Sequence, residues 1–184
     1  YVKRQTGHTF RSIRYPFGRP TALREGIALS RLDQMGVLAP KPLYFGSRKI
    51  DGQWQGLLVT RELVGFRDLD TWLTDEAQRH LSQEDHLAIL TNLAVLLGKL
   101  HRGRQQHGCM RAKHVFISTR VVEGISRFDL ALLDLEKSRP RISMTRAARH
   151  DVRQLRRHSP WNDAQWNYFL ERYEKEIGRS VVFR

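Results

Sequence analysis

Two short stretches hold the residues whose types and spacing could do chemistry. The first runs His107, Gly108, Cys109, Met110, Arg111, Ala112, Lys113, His114. The second is Leu133, Asp134, Leu135, Glu136, and its Asp134 follows His114 by twenty residues. A strand-like run (Val115, Phe116, Ile117) leaves the first stretch, and a second apolar run (Leu130 to Leu133) ends on Asp134. Two adjacent strands would bring His114 and Asp134 to one point. Phosphoryl transfer asks for that geometry, because a metal bridging the phosphates takes one ligand from a loop and one acid after a neighbouring strand. A chain built this way would handle a nucleoside triphosphate.

Other elements must position these groups. A helix is expected after Thr21, with Leu23, Ile27, Ala28, Leu32 and Met35 inward and Gly36 as the stop. Pro40 and Pro42 then favour extended chain. Leu43 to Ile50 and Trp54 to Thr60 flank Asp51 and Gly52, a favoured tight-turn pair, and read as a hairpin. Arg61 to Gly65 leaves that hairpin as a connector. Ser82 followed by Asp85 has the form of a helix N-cap, ahead of a stripe of Leu87, Leu90, Leu93, Ala94, Leu97 and Leu100. A basic helix is expected over Thr145 to Arg157, and a last helix carries Trp166, Phe169, Leu170, Tyr173 and Ile177 up to Gly178. Both long stripes read as core rather than as cofactor surface. The order is that of an α+β chain with a sheet-rich front and a helical back.

Composition narrows the class. A chain of 184 residues with 40% hydrophobic content can bury one real core. No apolar run approaches the ~18 residues that a membrane helix needs. One cysteine excludes an internal disulfide framework and a multi-cysteine zinc site, and agrees with a reducing cytoplasm. The chain opens on Tyr1 inside what reads as a strand, so an N-terminal segment is expected to be missing. Net charge is +13, from 32 Lys and Arg against 19 acids, which attracts nucleic acid, anionic lipid surfaces or phosphorylated substrates. No zinc finger, RNP-like aromatic motif or recognition-helix pattern appears, and the aromatics fall in core-like stripes. That argues against nucleic acid.

The order and the residues together resemble the bilobal protein-kinase-like fold, and more narrowly the lipopolysaccharide kinase family, the WaaP and InaA-like group. The resemblance is carried by Lys3 to Gln5, Thr21 to Glu25, Leu57 to Glu62, Leu100 with His101, His107 to His114, Leu133 to Lys137 and Asp151 to Leu155. It covers most of the chain and implies a partial N-terminal lobe over residues 1–61 and a helical C-terminal lobe with the catalytic loop over 62–184. It implies ATP and Mg²⁺ as cofactors. The implied acceptor is a sugar hydroxyl of the lipopolysaccharide core, or another phosphorylated glycolipid, met at the cytoplasmic face of the inner membrane.

Residue by residue, the resemblance implies that Lys3 holds nucleotide phosphates and that Glu25 pairs with Lys3. It implies that the backbone of Glu62, Leu63 and Val64 meets adenine. Asp134 would bind the metal. His114 stands where ordinary kinases have Asn; imidazole is a weaker magnesium ligand than oxygen, so His114 could contact phosphate or accept manganese instead. Asp151 would either brace the catalytic loop from within or start a helix at the surface. Of the many arginines, Arg111 and Lys113 lie inside the loop and are the preferred acceptor contacts; Arg104, Arg139, Arg141, Arg146, Arg149, Arg153, Arg156 and Arg157 are further candidates.

The pattern breaks at Cys109, which occupies the place of the aspartate that orients the attacking hydroxyl. A free thiol has a pKa near ~8.5 and accepts hydrogen bonds poorly, so it does not mimic a carboxylate. Two readings stay open. Transfer proceeds without a strong base, with Arg111 in the loop and Glu136 able to assist; or the protein is a pseudoenzyme that binds nucleotide or a partner without turnover.

Overall fold

A computed structural model describes residues 1–77 and 81–180. The chain opens with β1 (Val2–Thr6), β2 (Thr9–Ser12), β3 (Tyr15–Pro20) and α1 (Thr21–Gln34). Then come β4 (Pro42–Ile50), β5 (Gln53–Thr60), β6 (Arg67–Asp68), α2 (Leu69–Ala77) and α3 (Gln83–Arg102). β7 (Gln105–Gln106), β8 (Val115–Val122), β9 (Ile125–Leu132), β10 (Arg139–Pro140), α4 (Met144–Arg157) and α5 (Asp163–Ile177) complete it. The α+β class agrees with the sequence reading.

The first sheet has the order β1, β5, β4, all antiparallel, and pairs Lys3 with Leu58 and Phe45 with Leu58. Its hairpin turns at Asp51 and Gly52, both left-handed (φ 48° and 76°), as a two-residue turn that follows strand twist requires. α1 lies against this sheet and buries Ala22, Glu25, Gly26, Ala28, Leu29 and Leu32. Pro20 at its N-cap has no polar side chain to accept from the first turn. Gln5 of β1 does this from outside the helix: its Oε1 accepts from Thr21 Oγ1 (2.9 Å) and from the Ala22 N–H (2.7 Å).

The main core surrounds α3. Ile89, Leu90, Leu93, Leu97 and Leu100 are buried in it, and Trp166, Phe169 and Tyr173 of α5 pack beside them. Ser82 caps α3 by accepting from the Asp85 N–H at 3.1 Å, as its sequence predicts. Asn162 and Gln165 cap α5 reciprocally. A second sheet, in the order β6, β8, β9, lies across this helical part. Its β8–β9 pairing sets Val115 opposite Leu132. The residues just before β8 and just after β9 are therefore His114 and Leu133–Asp134, side by side as the sequence spacing requires.

Two features go beyond the sequence reading. β2 and β3 form a small hairpin between β1 and α1; most of it is exposed, so it has no core-facing alternation to reveal it. α2 is short and anchors itself by burying Leu69, Trp72 and Leu73. Among the described residues no helix is long and apolar enough to cross a membrane.

Candidate active site

The catalytic-loop candidate is built from within by a buried carboxylate. Asp151 of α4 is fully buried. It accepts the N–H of His107 at 2.6 Å on Oδ2 and the N–H of Gly108 at 3.0 Å on Oδ1. His101 Nε2 lies 3.2 Å from Oδ2 and His150 Nδ1 lies 3.1 Å from Oδ1. Tyr173 Oη sits 2.6 Å from His101 Nδ1 and extends the chain of contacts to α5. Burial by itself would raise the Asp151 pKa; the hydrogen bonds and charge of His101 and His150 outweigh it and hold the carboxyl well below the usual carboxylate range. Of the two roles left open for Asp151, the internal brace is the one its contacts describe.

Glycine is required at 108. Its φ is 88°, and a Cβ there would meet the Lys137 carbonyl oxygen at 2.5 Å. His107 and His114 then clamp Cys109 from both sides. His107 Nε2 donates to the Leu133 carbonyl at 2.8 Å, which leaves its Nδ1 to accept the Cys109 N–H at 3.3 Å. Burial holds His107 below the ordinary histidine pKa, in keeping with this neutral tautomer. His114 Nδ1 donates to the Cys109 carbonyl at 2.6 Å, and the two imidazoles stack 6.0 Å apart.

With its Nδ1 so engaged, His114 turns Nε2 toward Asp134, 3.3 Å from Oδ2. Asp134 has left-handed backbone (φ 56°, ψ 59°), a conformation that costs a non-glycine residue about 1 kcal/mol. Its side chain remains 44% exposed. One donor atom each from Cys109, His114 and Asp134 lies within 4.8 Å of the others.

Across from this cluster, Lys3 Nζ donates to Glu25 Oε2 at 2.8 Å, the pair that the sequence reading expects. A second acid joins it. Lys3 also donates to Glu136, which accepts from Gln5 Nε2 at 2.9 Å as well. Glu136 is thus committed to Lys3 and Gln5, rather than free beside Cys109. Burial works to lower the Lys3 pKa, but the hydrogen bonds and charges of Glu136 and Glu25 outweigh it and raise it. For Glu25, burial dominates and raises the pKa against the pull of Lys3. For Glu136, burial is opposed by the stronger combined pull of Lys3 and Gln5, which lowers it. One ammonium therefore serves two carboxylates in different surroundings.

These groups share a cavity of about 500 Å³, lined among others by Lys3, Glu25, Glu62, Leu63, His114 and Asp134. Phe66, Phe116 and Leu133 give it apolar walls, and Lys113 reaches it from the loop. Val64 does not line it and is 81% exposed. Arg111 is half-buried and also outside the lining; the 3-10 turn over Ala112–His114 presents Lys113 and His114 there. Sequence reasoning missed Gln5 and the partner of Glu136. A faint signal existed: Lys3 and Gln5 are two apart on a strand and so face the same side.

The donor set suits the groups that a kinase-like fold implies. Magnesium is commonly held by one or two protein carboxylates, with phosphate and water completing its shell, and Asp134 is an accessible carboxylate. A cavity with apolar walls and a fixed ammonium suits a planar base joined to phosphates.

Comparisons with known proteins identify the family and the fold. Protein InaA of Escherichia coli (strain K12) is 40% identical over 167 residues, covering 90% of this chain and 75% of that protein. A solved structure, WaaP in complex with acyl carrier protein, superposes with a TM-score of 0.72 at 21% identity. That match covers 92% of this chain and 78% of the other, and shows the kinase-like fold. Residues 1–173 match the model of the Lipopolysaccharide kinase (Kdo/WaaP) family. The chain, with its Lys3–Glu25 pair, its braced loop and its strand-end Asp134, thus belongs to the lipopolysaccharide kinase family.

Proposed function

We propose that this protein is an ATP-dependent phosphotransferase that phosphorylates a sugar hydroxyl of the lipopolysaccharide core. One observation carries the reading: the Lys3–Glu25 pair and the Asp134–His114 pair line a single cavity. Adenine lies against the connector at Glu62 and Leu63, which line the cavity, and meets backbone groups there. Lys3 neutralises phosphate oxygens, held in place by Glu25 and Glu136. Asp134 would hold Mg²⁺, with His114 beside it; the ion would supply charge neutralisation at the transferring group.

The acceptor hydroxyl attacks the terminal phosphorus, its proton passes to solvent water, the bond to the bridging oxygen of the leaving nucleotide breaks, and ADP departs. Cys109 does not act as a strong base. A loose transition state depends more on position and charge than on base strength. The clamp of His107 and His114 on the Cys109 backbone supplies position. We place the lobe boundary between residues 61 and 62, and the working location at the cytoplasmic face of the inner membrane, where a lipid-anchored acceptor is reached.

The test is ADP release by the purified protein with MgATP and a lipopolysaccharide core acceptor. The expected result is turnover that Asp134→Ala abolishes. No turnover together with no thermal shift on adding nucleotide would overturn the reading. Cys109→Asp separates the two roles of the fold. A gain of about 10²-fold or more marks a slow kinase that lacks its base, whereas nucleotide binding with no turnover in either form marks a pseudoenzyme.

A further inference from the structure

We propose that the groove along α4 is a second anion site, which holds phosphate groups of the glycolipid acceptor beside the catalytic loop. This rests on the kinase reading above. The groove is a cavity of about 560 Å³ lined by Arg141, Arg146, Arg149, Arg153 and Arg157, with no carboxylate among the described residues that line it. It is distinct from the cavity that holds Lys3 and Asp134.

The spacing on α4 makes this groove. Positions 146, 149, 153 and 157 recur at intervals of three and four and so share one helix face. The opposite face, with Ala147, Ala148, Val152 and Leu155, is buried. Asp151 is the only acid of the helix, and it points inward to His107 and Gly108. Arg156 falls off the row and turns to the Trp161 carbonyl and to Asp163. The grooved face is rich in arginine.

Gathered guanidinium groups repel each other. At Arg141, burial first and then the charges of Arg139 and Arg146 lower the pKa. A phosphate matches the guanidinium fork with paired hydrogen bonds. Arg146, Arg149 and Arg157 along one cavity suit a ligand with more than one phosphate.

Position ties the groove to the reaction. Gln154, a lining residue, accepts the N–H of Met110 on its Oε1 at 2.9 Å. Arg141, another, donates to the Oε1 of Gln106. Residues 106 and 110 flank the segment that carries Cys109. A phosphate held in the groove thus sits behind the loop that presents the acceptor hydroxyl. The sequence reading prefers Arg111 and Lys113 for this contact; the groove transfers it to α4.

The experiment is calorimetric titration of the full chain, without nucleotide, with soluble phosphorylated lipopolysaccharide core and with the same core after dephosphorylation. Binding of the phosphorylated form only is expected. Arg146→Gln combined with Arg149→Gln should weaken it at least about tenfold, since each lost charge-assisted pair is worth that order. The charge-matched control, Arg11→Gln with Arg14→Gln on the β2–β3 hairpin, should leave it unchanged. An equal loss in the control, or equal affinity for the dephosphorylated core, overturns the groove. So does equally tight binding to phosphatidylglycerol vesicles that the groove variant does not weaken, since the surface would then be a general anionic contact. ATP-induced thermal stabilisation is read in parallel: if it is absent while core binding depends on Arg146 and Arg149, the kinase reading fails and the groove stands.

Discussion

Two aspartates, seventeen residues apart in sequence, show how differently the fold treats the same side chain. Asp151 has no exposed side chain and takes contacts from two backbone N–H groups and two imidazoles. Asp134 is 44% exposed, sits on left-handed backbone and faces His114 at 3.3 Å. The first is saturated and so holds the loop still. The second keeps lone pairs toward the cavity, at some cost in backbone strain, and so can bind something. A carboxylate spent on structure and a carboxylate kept for a ligand differ in how many of their acceptor sites the protein itself fills.

Four measurements would break or sharpen this contrast. Asp134→Ala should lower turnover by at least about 10³-fold. It should change unfolding free energy by no more than about 0.5 kcal/mol, as surface substitutions do. Asp151→Ala should do the reverse first, costing about 3–5 kcal/mol in urea denaturation, because it orphans buried N–H groups and uncouples His101. If the two variants lost stability equally, the division between brace and ligand would fail.

Acid should act on the brace in a defined window. The Asp151 pKa is depressed in the fold, so its contribution is complete above the ordinary value of 3.8 and is lost as pH falls below it. The stability gap between the natural protein and Asp151→Asn should be constant from pH 7 to pH 5 and narrow under pH 4. Urea midpoints at each pH would check this; a gap that narrows already at pH 6 would contradict it. The smallest effect is expected at Gln5. Gln5→Ala should cost about 1 kcal/mol, since Gln5 performs the N-cap task for α1. It should also raise the KM for ATP, since Glu136 loses a partner while Lys3 keeps its place.

Much of the site was legible as pattern. An apolar run that ends on Asp134 and another that starts after His114 have one good pairing, and β8 with β9 adopts it. The Lys3–Glu25 pair was implied by the resemblance to kinase-like chains rather than by pattern, and the two side chains do meet. The contact between Lys3 and Glu136 was not legible, because 133 residues separate them and neither carries a periodic signal. The same limit applied to Gln5, whose task of capping α1 depends on how β1 lies across the helix end. β2 and β3 escaped because their exposed residues show no alternation.

What the sequence determined by itself is the set of elements and the chemistry they carry: periodicity, caps and turn pairs are local, and local rules read them. The tertiary structure alone decided which charges meet. It turned Asp151 inward and left Asp134 open, gave Lys3 a second acid, and gathered the arginines of α4 into a groove behind the loop. Those outcomes depend on burial and on contacts between distant segments, and the free energy of a charge is set by its surroundings rather than by its position in the chain.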